Sequence, residues 1–275
     1  MNLQKEYSYT NNRQIWRLLP TETSKIIIEE RDVDTKEVYF SCLDIASGEK
    51  IFNAIQLEEK FWIGIETIQN DIIFFHRFLK PDMPGHRGII AFDISTKKVA
   101  WENPEYSFLF ILDNKIYCCQ QFFDGKKFFS LDSSSGKLVE ELGSDSERIN
   151  YLQEKALGQQ SFEDYIFPEV LNVNEKGTKR IKEILNSLKN EIVLTGPVEY
   201  TLYSSFLLFT ANEVLQDGKM KNVFRAIDLN SGKILLEQSI FAKTDVFITD
   251  SFFIKSRLLF LLIGKTGLVV YSFKG

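Results

Sequence analysis

Four copies of one short motif divide this sequence into segments. Each copy has an apolar residue, Asp, two variable residues and Ser or Thr, usually followed by Gly and Lys, and the copies begin at Leu43, Phe92, Leu131 and Ile227. An Asp at a strand end accepts hydrogen bonds from backbone N–H groups just ahead of it, and the hydroxyl supports the same bend. Gly four residues after the Asp suits a left-handed backbone position. The motif therefore predicts a β-hairpin corner, and Lys97, which replaces Gly in the second copy, predicts a strained one.

The spacing of the motif predicts a β-propeller. The motif aspartates, at positions 44, 93, 132 and 228, are separated by 49, 39 and 96 residues. A period of roughly 40 to 50 residues with several strands per repeat is typical of propeller blades. Two further strand-like runs precede each corner, which predicts four antiparallel strands per repeat with the corner between the third and fourth. The predicted fold is all-β, a propeller of five four-stranded blades.

The last predicted blade lacks a fourth strand of its own. Propellers leave few exposed sheet edges, so the missing strand is expected to come from elsewhere in the chain. Residues 5–10 precede Trp16 much as residues 49–52 precede Trp62. We therefore predict that the N-terminal strand closes the last blade and that residues 1–275 form a single propeller domain.

The long interval between Asp132 and Asp228 has two explanations. It equals about two ordinary repeats, so a sixth blade without its corner motif is one alternative. The other, which we favour, is a helical insertion at residues 143–197. Residues 178–188 place Ile181, Ile184 and Leu185 on one helical face, and residues 146–152 are predicted to begin a second short helix.

The composition predicts a folded protein without affinity for polyanions. The 24 Phe and 10 Tyr residues favour strands, and a net charge of −5 argues against a nucleic-acid or anionic-membrane binder. The chain start has no signal-peptide core, and no run is long and uncharged enough to span a bilayer. Cys42, Cys118 and Cys119 lack metal-knuckle spacing, which predicts reduced thiols in a cytoplasmic protein. We expect a monomer.

The aligned repeats resemble the quinoprotein-like, or PQQ-type, β-propeller repeat. Asp93, Thr96 and Trp101 match its Asp, the hydroxyl residue three positions later and the Trp eight positions later, although Gly is missing from this copy. The other copies have other residues at the eighth position. The resemblance covers four of the five predicted repeats. It implies a propeller, and many propellers with this repeat bind no quinone and act as assembly scaffolds.

Cys118 and Cys119 resemble the adjacent cysteines that form a ring disulfide in quinoprotein alcohol dehydrogenases. Here they lie in a predicted middle strand, where neighbouring side chains point to opposite faces. Buried, unreactive thiols suit that position better. We therefore expect no quinone and no other cofactor.

The only two histidines, His76 and His86, flank a predicted loop at residues 80–85. If the hairpin is symmetric about this loop, His76 lies opposite a residue near Ile89 and the imidazoles are not paired. A metal ion needs three or four converging ligands. We therefore expect no metal site at His76, Asp82 and His86. No nucleophile elbow, phosphate loop or metal-binding helix motif indicates catalytic residues.

The long connections at residues 80–86, 143–197 and 216–220 are predicted to share one rim, opposite the Asp corners. Loops on rigid scaffolds commonly carry function. The candidate binding face on this rim consists of His76, Asp82, His86, Arg87, Lys179, Arg180, Lys182 and Lys219. We expect a non-catalytic scaffold that binds an unknown protein or small ligand there, with no nucleic-acid or membrane partner. The alternative is a hydrolase or lyase acting in the central channel, which would need a polar or metal-binding cluster there.

Overall fold

The computed structural model describes residues 2–80, 83–159, 162–171, 181, 183 and 194–274. The chain divides into two compact units: Arg13–Ser161 form the first, and Met1–Asn12 with Phe162–Gly275 form the second. Strands dominate both units and form antiparallel sheets of the kind found in propeller blades. The predicted all-β class is confirmed. The number of blades, their closure into a ring and the single-domain assignment stay predictions.

The first unit contains three four-stranded sheets and a helix. The chain begins with strand β1 (Asn2–Thr10), which belongs to the second unit. Each of the three sheets then consists of four strands in sequence order. They are β2 (Gln14–Pro20), β3 (Lys25–Arg31), β4 (Val38–Asp44) and β5 (Lys50–Ile55); β6 (Ile63–Gln69), β7 (Ile72–Lys80), β8 (Met83–Asp93) and β9 (Lys98–Asn103); and β10 (Ser107–Leu112), β11 (Lys115–Phe122), β12 (Gly125–Asp132) and β13 (Leu138–Gly143). Helix α1 (Ser146–Gln159) follows the third sheet.

The second unit contains two sheets of five strands each. Its strands are β14 (Tyr165–Ile166), β15 (Glu169–Val170), β16 (Leu194–Tyr203), β17 (Phe206–Val214), β18 (Met220–Asp228), β19 (Ile234–Thr244), β20 (Phe252–Lys255), β21 (Leu258–Ile263) and β22 (Gly267–Lys274). One sheet has the order β15-β16-β17-β18-β19, and the other has the order β1-β22-β21-β20-β14. The predicted partner of the N-terminal strand is therefore confirmed: β1 pairs with β22 from Asn2 opposite Lys274 to Thr10 opposite Gly267.

The Asp motif forms a corner at all four positions. At the first, Asp44 Oδ1 accepts hydrogen bonds from the backbone N–H groups of Ala46 at 3.1 Å and Ser47 at 2.8 Å. The residue four positions after each Asp has a φ between 58° and 73°. Lys97, with a φ of 58°, takes the same left-handed conformation that Gly takes in the other copies.

Buried apolar residues join neighbouring sheets within each unit. In the first unit, Phe40 of β4 and Phe75 of β7 meet edge to face with ring centroids 4.7 Å apart. Cys118 of β11 packs in a second cluster with Phe74 of β7, so the middle sheet is covered on both faces. All three cysteines are buried and free, as predicted. In the second unit, Phe206 and other apolar residues of both sheets form one cluster.

The insertion contains strands as well as helix. The short helix predicted from residue 146 is confirmed as α1, which buries Ile149 and Ala156 against the third sheet. Ile181 is helical and buried against β17, while most of the predicted helix at 178–188 lies outside the described residues. Besides this predicted helix, the insertion contains β14 and β15, which add edge strands to the two sheets of the second unit. No helix in the described ranges is long and apolar enough to cross a membrane.

Candidate functional site

The two histidines lie against each other in the second sheet. The imidazole rings of His76 in β7 and His86 in β8 stack with centroids 3.5 Å apart and planes 7° from parallel. The prediction that they are not paired is therefore wrong. His86 lies opposite Phe78, which is two residues from His76, so both imidazoles occupy the same face of the sheet.

A β-bulge in β8 accounts for this contact. The partners in the ladder are Phe75 with Ile90 and then Arg77 with Arg87, so Ile89 and Gly88 together oppose His76. Gly88 has a φ of 75°, which glycine adopts without strain. The extra residue shifts the register after Ile89 and brings His86 diagonally onto His76. The symmetric hairpin assumed from the sequence lacked this shift.

Glu66 is the third member of the site and was not predicted. It is the unpaired residue of a second bulge, in β6, between the pairs Ile65 with Phe75 and Thr67 with Phe74. Its Oε1 lies 2.7 Å from His86 Nδ1 and 3.0 Å from His76 Nδ1. We call Glu66, His76 and His86 the Glu-His-His cluster. Each offers one potential ligand atom, and the three atoms lie within 4.8 Å of one another.

The cluster is buried on the His76 side and open on the His86 side. The His76 side chain is 4% exposed, whereas the His86 side chain is 37% exposed. His76 Nε2 has no hydrogen-bond partner among the described residues, and the one polar neighbour of Nδ1 there is Glu66 Oε1, at 3.0 Å. Burial alone would raise the pKa of Glu66, but the nearby imidazoles of His76 and His86 outweigh it and lower that pKa.

Gly64 and Phe78 hold the His76 ring in place. Gly64 is directly opposite His76 in the ladder, and a Cβ there would lie 2.9 Å from His76 Cε1 and 3.0 Å from Nε2. The Phe78 ring lies nearly perpendicular to both imidazoles, at centroid distances of 4.8 Å to His76 and 5.3 Å to His86. The close approach of the two strands therefore requires a residue without a side chain at position 64.

The other predicted site residues do not join the cluster. Arg87 donates from Nε to the carbonyl oxygen of Pro104 at 3.2 Å. Lys219, in the second unit, pairs with Asp245 at 2.9 Å. Asp82, Lys179, Arg180 and Lys182 lie outside the described residues. Of the eight predicted residues, only His76 and His86 are brought together within the described part of the chain.

A second feature is formed by residues of the insertion and of β20. Phe162, Tyr165, Phe167 and Phe253, which we call the aromatic ladder, form a chain of ring contacts. The centroid distances from Tyr165 are 5.8 Å to Phe162, 5.8 Å to Phe167 and 6.4 Å to Phe253. Phe162 is 60% exposed and Phe167 is 56% exposed. Lys255 covers the Tyr165 ring at 4.0 Å and pairs with Asp164 at 2.8 Å, so charged groups border the rings.

Comparisons with known proteins give a partial match. A family model described as "Domain of unknown function (DUF4905)" matches residues 19–101, a range that contains Glu66, His76 and His86. No curated protein matches the chain. A solved structure described as "Structure of Dos1 propeller" is similar with a TM-score of 0.31 and 11% sequence identity, over 94% of this chain and 68% of that chain.

Proposed function

We propose that the protein is a non-catalytic β-propeller scaffold whose insertion, residues 143–197, forms the contact surface for a protein partner. The observation that carries this proposal is the aromatic ladder. A connection that only linked two sheets would have no need to present Phe162 and Phe167 to solvent. Contiguous exposed apolar surface is typical of protein contact sites, and aromatic residues are enriched there.

The form of the ladder favours a protein over a small ligand. Small-molecule sites are concave and enclose most of the ligand. Tyr165 instead lies in β14, at the edge of its sheet. In the sequence, Phe162 precedes this strand and Phe167 follows it. Lys255 lies over the Tyr165 ring and pairs with Asp164, so charged groups lie next to the exposed rings, as at the rim of a protein interface.

Replacing the two exposed rings tests this proposal. The double variant Phe162→Ser, Phe167→Ser is expected to stay folded, because both side chains are mostly exposed. Each protein would be immobilised, and proteins captured from an extract of the source organism would be quantified by mass spectrometry. A partner retained by the wild type should fall at least about tenfold on the double variant, as is expected when central aromatic residues are removed.

Phe123 supplies the matched control. It is fully exposed at the hairpin tip between β11 and β12, away from the insertion in sequence. Phe123→Ser removes an exposed aromatic ring of the same size but should leave capture of the partner unchanged. Equal loss in the control and the double variant, undiminished capture by the double variant, or no protein specifically captured by the wild type would each contradict the proposal.

A further inference from the structure

We propose that Glu66, His76 and His86 bind a divalent first-row transition-metal ion, of which zinc is the best match. This inference does not depend on the scaffold function, because the cluster lies in the first unit and the aromatic ladder lies in the second. It rests on the donor set, on the unsatisfied state of His76 and on the way two strands are distorted to form the cluster.

The donor set selects the class of metal. Two imidazole nitrogens and one carboxylate oxygen, within 4.8 Å of one another, are ligands typical of zinc and its neighbours. Calcium and magnesium prefer sites made of oxygen ligands alone. Three protein ligands leave the fourth position of a tetrahedral ion for water or another donor, and the exposed side of His86 gives solvent access to it.

His76 provides the second observation. Its imidazole is buried, yet Nε2 has no hydrogen-bond partner in the described structure and Nδ1 has only the Glu66 carboxylate, 3.0 Å away. Buried polar groups without partners are rare in native proteins because each one loses its hydration without compensation. A metal ion bound between the cluster residues would give Nδ1 a strong partner on the side where Glu66 already lies at 3.0 Å.

The present distances are slightly shorter than those of a metal-bound site. Ligands at ~2.0 Å from a tetrahedral zinc ion are roughly 3.3 Å from one another. The two Nδ1 atoms lie 3.0 Å and 2.7 Å from Glu66 Oε1, so metal binding requires the cluster to open by a few tenths of an ångström. It also requires one imidazole to turn out of the stack, because nitrogen lone pairs lie in the ring planes and these planes are only 7° from parallel. His86 can supply this movement because its side chain is partly exposed, whereas Gly64 and Phe78 confine His76.

Both strands that flank β7 depart from regular pairing at the cluster. Glu66 is the extra residue of the bulge in β6, and Gly88 belongs to the bulge in β8. Bulges are over-represented next to functional sites, where they redirect side chains. Without the bulge in β8, the diagonal contact of His86 with His76 would not form in this register.

Metal titration of the tag-free full-length chain tests the proposal. After treatment with a chelator, the protein would be titrated with Zn²⁺ by calorimetry and with Co²⁺ by visible absorption. One ion per chain should bind, and neither Ca²⁺ nor Mg²⁺ should compete at millimolar concentration. Because the sequence has only two histidines, the ¹⁵N resonances of both rings should shift on addition of Zn²⁺.

Variants locate the site. Glu66→Gln and His86→Ala should each weaken Zn²⁺ binding at least about tenfold, since even residues beyond the direct ligands commonly contribute that much. Glu102→Gln is the control, because Glu102 pairs with Arg77 at the surface and does not touch the cluster. His76 is left intact, as loss of a buried ring could unfold the sheet.

Three results would overturn the proposal: no binding of Zn²⁺ or Co²⁺ by the folded wild type, binding that Glu66→Gln and His86→Ala leave unchanged, or preference for Ca²⁺. In the first case the cluster is a charge-assisted carboxylate–imidazole pair with a stacked second ring. Capture of the protein partner should be unaffected by Glu66→Gln, so failure of this proposal and failure of the scaffold proposal are distinguishable.

Discussion

Gly136→Ala should destabilise the first unit by about 2–5 kcal/mol, through two effects that the structure separates. Gly136 occupies the left-handed position of the third Asp corner, with a φ of 67°. A Cβ added there would lie 2.6 Å from both Cδ2 and Cε3 of Trp101. The indole cannot easily withdraw, because Trp101 Nε1 donates to the carbonyl oxygen of Ser133 in the same corner at 3.1 Å.

The magnitude is the sum of a backbone cost and a packing cost. A residue with a Cβ in the left-handed region costs about 1–2 kcal/mol. Forcing an extra methyl group into a packed contact costs about 1–3 kcal/mol, because side chains or backbone must shift. Gly232 provides a matched control at the fourth corner: its φ is 71°, but a Cβ there would meet no described atom within 4 Å. Gly232→Ala should therefore show only the backbone cost.

Urea unfolding measures the difference. The three tryptophans, Trp16, Trp62 and Trp101, all belong to the first unit, so their fluorescence reports the unfolding of that unit. Gly232 lies in the second unit, which has no tryptophan, so the unfolding of the Gly232→Ala variant would be followed by far-ultraviolet circular dichroism. In a Trp101→Leu background, the cost of Gly136→Ala should fall to that of Gly232→Ala. Equal costs for the two glycine substitutions in the wild-type background would refute the proposed contact with the indole.

Three further predictions concern single side chains. Lys97→Gly should raise the free energy of unfolding by about 1 kcal/mol, because it relieves the left-handed strain at a φ of 58°; a loss of stability in urea would contradict this. Burial raises the pKa of the Cys42 and Cys118 thiols to about 12. At pH 8 they should therefore react with a chromogenic disulfide reagent at least ~100-fold more slowly in the native protein than in urea. Rapid labelling of the native protein would contradict their burial. Burial also raises the pKa of Glu199, so the native state holds this proton more tightly than the unfolded state, and the contribution of this carboxyl to stability falls as the pH rises above ~4.3. In thermal melts, the melting temperature of Glu199→Gln should therefore rise relative to that of the wild type between pH 4 and pH 7, and a difference that does not change with pH would contradict the assignment.

The corners could be predicted from the sequence because their chemistry is local. An Asp, a hydroxyl residue and a Gly within five positions contain the hydrogen-bond acceptor and the backbone freedom that the turn needs. Even the exception follows from position, since Lys97 adopts the φ that its place in the motif demands. The pairing of β1 with β22 was also accessible, because a sheet left one strand short needs a partner for its edge.

The edge strands of the insertion could not be predicted in the same way. Tyr165–Ile166 and Glu169–Val170 are strands of two residues each, too short to show a period. They are defined by the partners they meet, Ile254 and Lys255 for the first and residues of β16 for the second. Contacts between residues so far apart in sequence have no local signal, and the exposed rings that accompany them were missed for the same reason.

The Glu-His-His cluster lies between these two cases. A symmetric hairpin places His76 opposite Ile89, and the structure does place Ile89 there, but together with Gly88. One extra residue converts a pair of separated imidazoles into a stacked pair. The signal for this bulge was present, because a Gly in a strand interior often marks a bulge or a close approach of two backbones. Gly88 is of the first kind and Gly64, directly opposite His76, is of the second. In a chain built from repeated corners, the regular positions thus predict the framework, and the glycines that interrupt its strands indicate where side chains have been redirected to form a site.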